Sequence, residues 1–238
     1  MTRLSIRTTL AVAIGFLALT LLALIADGAW DAWRRTAVTR TIVTATEVTD
    51  HMFAALHNLR VDRSSTSRDL RAEGPVAATT EQAAKARRAE LAALEATVAA
   101  LADFDIGDAG ATRSKLDAAR KRLAALHQEA EAAIRLPRAQ RRAGLVDDFM
   151  ATANELVSGL EKASATIAAR VKLQDALVDK LLDVKAIIWQ TRTAVGEASA
   201  MVSAGIAGLP IAPDFQLRFA AQMSRAHTTW EATRDIVA

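Results

Sequence analysis

The sequence predicts an all-α protein, an N-terminal transmembrane helix continuing into an elongated antiparallel helical bundle. Three observations predict it. Ala fills 54 of 238 positions and hydrophobic residues make up 51%, against 4% aromatics, a composition suited to close helix seams and not to β-sandwich layers. Gly and Pro number only 10 and 4, so the stretches between breakers are long. Within those stretches apolar residues recur in steps of three and four. The absence of Cys excludes a disulfide-stapled fold and any Cys-ligated metal centre. A net charge of +3 is too small for a nucleic-acid surface, so no nucleic-acid partner is expected.

The elements follow in order. Residues 8–26 carry no charge over about 19 residues, a span of roughly 28 Å in a helix and enough for a bilayer core. Arg3 and Arg7 precede it, which places residues 1–7 in the cytoplasm by the positive-inside rule, and Trp30 and Trp33 follow at interfacial depth. A cleaved signal peptide and a buried core helix are the alternatives. The length of the run and the lack of a small-x-small site favour the anchor. Residues 27–238 then lie outside the cytoplasm.

Beyond the anchor, breakers divide the chain. The first run covers 27–73 and ends at Gly74-Pro75. The second covers 76–103, before a loop at 104–110. The third covers 111–136 and stops at Pro137, and a fourth covers 138–207. After the break at 208–213, Asp214 caps a last helix. The fourth run is about 70 residues, longer than the first, so it must bend or break at a place the sequence does not mark. Short connections make neighbours antiparallel, giving a distal four-helix bundle over about 55–165 and a membrane-proximal part from 27–54 and 166–238.

Two arginines fall on seams. The first run reads Met52, Leu56, Leu59, Arg63, Thr66, Leu70, and the second Ala84, Arg87, Leu91, Leu94, Val98, Leu101. A buried charge requires a partner or a ligand. Counting from the turns puts Arg63, Arg87 or Arg88, His127 and Asp148 at one height. This predicts a polar layer able to bind a small anion or carboxylate, or an internal salt bridge of Arg63 or Arg87 with Asp148. A second basic cluster, Arg135, Arg138, Arg141 and Arg142 with Arg68 and Arg71 near it, marks the distal turn as a solvated surface or a dock for an anionic partner. No His stands three or four residues from another, so no local metal motif exists. With no nucleophile elbow, phosphate loop or dinucleotide fingerprint, neither an enzyme nor a cofactor is expected.

Two stretches carry a resemblance. Leu59-Arg-Val-Asp62-Arg63-Ser-Ser65 is similar to the Leu-x-x-Glu-Arg-Gly-x-Ser pattern of nitrate/nitrite-sensing domains, with Asp62 for Glu and Ser64 for Gly. Residues 182–199, with Lys185, Trp189, Arg192, Gly196 and Glu197, look like a later pattern of such domains, with Ala198 where Arg is frequent. The whole arrangement resembles the extracytoplasmic sensor half of bacterial methyl-accepting chemotaxis proteins and related cyclases and kinases. That family includes four-helix-bundle and helical bimodular sensors. The resemblance implies a ligand held between helices, a shift of the first helix, a homodimer, and a place in the bacterial inner membrane with the bulk periplasmic. It also implies a second span and an output module, so the chain reads as a segment ending before them. The alternative is a membrane-tethered adaptor bundle that grips a protein through Arg138, Arg141 and Arg142.

Overall fold

The computed structural model describes residues 6–102, 109–206 and 211–237. Six α-helices account for nearly all of them: α1 (Ile6–Arg71), α2 (Glu81–Ala100), α3 (Ala109–Ala133), α4 (Leu145–Val171), α5 (Ala176–Ile206) and α6 (Phe215–Val237), with a 3₁₀ turn at Arg138–Gln140. Among the described residues there is no strand. The chain forms two compact units, Met1–Thr44 and Ala45–Ala238. Arg3 and most of the 104–110 loop lie outside the described residues.

The first unit holds the N-terminal part of α1, which is long and apolar enough to cross a membrane. Its large side chains, among them Leu10, Ile14, Phe16, Leu17, Leu21 and Leu24, are exposed. The hydroxyls of Thr20, Thr36 and Thr41 donate to carbonyls four residues back, which satisfies them within the helix. The rings of Trp30 and Trp33 lie 5.3 Å apart.

In the second unit the rest of α1 packs with α2, α3 and α4. Arg60 meets Glu161 and Arg63 meets Asn154, so α1 and α4 run antiparallel. Met52, Leu59, Leu70, Leu94, Leu123, Phe149 and Leu156 fill the interior, each contributing about 1.5–3 kcal/mol by leaving water. Close approach is visible at Gly159, where a Cβ would stand 3.0 Å from Leu116 of α3. Thr80 caps α2 by accepting from the Ala83 N–H, so that helix starts at Glu81, six residues after Pro75.

The fourth predicted run is two helices. Gly144 takes φ +80 before α4, and the chain reverses again at 172–175 without Gly or Pro. Leu173 adopts φ +67, its N–H held by the Asp179 carboxylate at 2.9 Å. The Asp175 side chain accepts from the Leu177 and Val178 N–H groups, the N-cap of α5. After this reversal α5 runs alongside α1 in the same direction: Phe53 meets Trp189 and Arg60 meets Thr193. Helix α6 folds back on α5, with Thr191 bonded to Thr229.

The basic cluster on the α3–α4 connection, which bonds to the α1–α2 turn, is largely taken up internally. Arg141 donates to the carbonyls of Asp69, Leu70, Gly74 and Leu136, satisfying acceptors freed where α1 ends. Arg142 bridges Glu129 and Asp148, and Arg138 pairs with Glu73.

Candidate functional site

Two polar sites stand out in the second unit. The first is a buried layer across α1, α2 and α3. Asp62 Oδ1 accepts from Arg87 Nε and from the Thr66 hydroxyl, each at 3.1 Å, and Oδ2 lies 2.8 Å from His127 Nε2. Arg87 also donates from Nη2 to Thr66 at 3.0 Å and from Nη1 to Glu131 at 2.6 Å. Burial alone would raise the Asp62 carboxyl. The His127 hydrogen bond and charge, then Arg87, outweigh it and hold Asp62 below the ordinary carboxylate range. Glu90 has no such support. Burial first, then the Asp62 charge, push it up to about 9 against the pull of Arg87.

The structure thus brings Arg87 and His127 together, as the helix heights predict, but corrects the rest of the layer. Arg63 sits about 100° around α1 from Asp62, and its Nη1 donates to Asn154 at 2.6 Å. Arg88 is exposed on the outer face of α2. Asp148 is exposed and bound to Arg142, so the acid opposite Arg87 is Asp62 and not Asp148. All three guanidinium nitrogens of Arg87 already donate within the layer, which leaves it poorly placed to clamp an external oxyanion. The buried stripe of α2 runs Ala83, Arg87, Glu90, Leu94, Thr97, Leu101: it keeps Arg87, Leu94 and Leu101 of the predicted seam and shifts by one position at Glu90 and Thr97. Glu90 therefore replaces Leu91 at the core.

The second site is a cavity of about 300 Å³ among α1, α4, α5 and α6. Phe53 and Leu56 of α1, Ala165 of α4, and Leu182, Lys185 and Trp189 of α5 form much of its wall, with Arg225 from α6. The Phe53 and Trp189 rings meet edge to face at 5.0 Å. Lys185 Nζ lies 4.3 Å over the Phe53 ring, and burial brings its ammonium down to about 8 although Asp50 opposes this. The Arg60 guanidinium lies 4.5 Å over Trp189 and binds Glu161 Oε1 at 2.9 Å, an oxygen that also accepts from Trp189 Nε1 at 3.2 Å. Arg192 lies 5.3 Å from the same ring and 2.8 Å from His57 Nδ1. Burial, opposed by Glu161 and Glu197, lowers Arg60. Burial and then the neighbouring Arg60 charge lower Arg63, and the same two causes lower Arg192. Cations outnumber carboxylates here, and an apolar, aromatic floor lies beside them. An anion with an apolar body would match this chemistry.

Sequence reasoning quoted Lys185, Trp189 and Arg192 only through the resemblance, and missed Phe53, Arg60 and Glu161. A Trp one helical turn from Lys185, on a helix without other aromatics, was the available signal. No family model, curated protein or solved structure matches the chain.

Proposed function

We propose that the chain is the ligand-sensing segment of a membrane-anchored signalling receptor of the bacterial chemoreceptor type, and that its ligand is a small carboxylate with an apolar or aromatic body, held at the Lys185–Trp189 cavity. The observation that carries this reading is the position of α1. Phe53 and Leu56 line the cavity, and they belong to the same uninterrupted helix that holds the exposed apolar stretch. Ligand that presses on Phe53 shifts or rotates α1, and the residues N-terminal to it inherit the motion. Packed helices pass between discrete arrangements, so a small shift is enough for a switch. In this reading residues beyond about 27 face the periplasm, the chain sits in the inner membrane, and it acts as a homodimer. The adaptor reading has less support, because Arg138, Arg141 and Arg142 already hold internal partners.

The test is a thermal-shift and calorimetric screen of the detergent-solubilised chain against aliphatic and aromatic carboxylates. At least one aromatic carboxylate is expected to bind, with affinity reduced tenfold or more in Lys185→Met and in Trp189→Leu. A screen without any binder, or a binder indifferent to both changes, overturns the reading.

A further inference from the structure

The buried layer contains a donor set that its own hydrogen bonds leave incomplete. Glu90 is 0% exposed, and neither of its carboxylate oxygens has a hydrogen-bond partner. Native interiors rarely leave such a group unanswered. Glu90 points toward His127, with Oε1 at 4.0 Å from Nε2, while Asp62 Oδ2 approaches the same nitrogen to 2.8 Å. One ligand atom from each of these residues lies within 4.8 Å of the other two. Two donors on one tetrahedral ion stand roughly 3.4 Å apart, a value between the two observed separations.

We propose that Asp62, Glu90 and His127 bind one divalent transition-metal ion of the zinc class, joining α1, α2 and α3. An imidazole with two carboxylates suits Zn²⁺ and its Co²⁺ analogue. Asp62 is already oriented for the task. Arg87 Nε and the Thr66 hydroxyl hold Oδ1, which turns Oδ2 toward His127. The ion offsets the repulsion of two adjacent buried carboxylates. Binding through Nε2 displaces to water the hydrogen now shared between that nitrogen and Asp62 Oδ2. None of the three residues lines the Lys185–Trp189 cavity, so the inference is independent of the ligand reading.

The test uses the full chain in detergent, stripped with chelator and titrated with Co²⁺ and then Zn²⁺. Co²⁺ is expected to give visible ligand-field absorption saturating at one ion per chain, and Zn²⁺ to displace it. Zn²⁺ at about 100-fold over Kd should raise the melting midpoint by about 5–10 °C. Glu90→Gln preserves size and removes the charge. It is expected to fold and to lose the absorption and tenfold or more in affinity, and His127→Gln should do the same. Arg88→Gln, exposed on the same helix, should bind as the parent does. No Co²⁺ absorption in the parent overturns the proposal. So does absorption that persists in either Gln variant, which would place the ion on His51, His57 or His227. If Glu90→Gln fails to fold, His127→Gln decides.

Discussion

The two polar sites of the second unit use the same residue types in opposite ways. In the α1–α2–α3 layer, charges face one another inside a closed interior, and Asp62 is the shared partner of Arg87, Thr66 and His127. At the cavity, Lys185 rests on an aromatic ring beside open volume, and Arg60 shares Glu161 with an indole. Removing one member of a closed layer strands its buried partners, whereas removing a rim cation strands nothing. Stability should therefore reside in the layer and recognition at the cavity.

The sharpest way to break that contrast is Asp62→Ala. It leaves His127 buried without its partner and takes from Arg87 its buried carboxylate, with only Thr66 and the half-exposed Glu131 remaining, and should cost about 3–5 kcal/mol, measured by denaturant unfolding of metal-free protein. A loss below about 1 kcal/mol would mean water reaches the layer. Next is Glu90→Gln, where the sign depends on pH. Glu90 sits near 9 in the folded chain against an ordinary 4.5. Between those values the folded state keeps a proton that the unfolded chain has released. Its contribution is thus full below pH 4.5 and is lost as pH rises through about 9. The Gln variant should nearly match the metal-free parent at pH 5 and exceed it by several kcal/mol at pH 9. An equal offset at both values would remove Glu90 as the cause.

Smaller effects are expected at the cavity. Lys185→Met should not lower stability while ligand affinity falls tenfold or more; a large loss of stability would make Lys185 a structural residue. Lys185 also sets a pH signature. Its folded value near 8 lies below the ordinary 10.5, so between pH 8 and 10.5 the unfolded chain holds the extra proton and stability rises with pH. Anion affinity should fall through the same range, as titration calorimetry at pH 7 and 10 would reveal. The Met variant should show neither slope.

Much of the helical order was legible because Gly74-Pro75, Pro137 and Pro213 punctuate it and Leu-rich seams lie between. The 172–175 reversal was not legible. It depends on Asp175 and Asp179, ordinary surface residues until their carboxylates meet backbone N–H groups. The buried layer was half legible. Arg87 and His127 stood out as polar residues at core heights, but a repeat of 3.5 residues drifts against a helix of 3.6 and selected Arg63 over Asp62. Glu90 was invisible for a related reason. A carboxylate in the core makes sense only with residues 28 and 37 positions away, on other helices. Local spacing of His likewise says nothing about a donor set gathered from three helices.

The reversal at Leu173 has a practical consequence. An 87% exposed leucine in a left-handed turn, between the ends of two helices, is an easy target for an endopeptidase that favours leucine. A single nick there would separate the α5–α6 hairpin, which holds Lys185 and Trp189, from the helices holding Asp62, Glu90 and His127. The two fragments, mixed again, would make a split protein whose reassembly reports on whatever occupies the space between them.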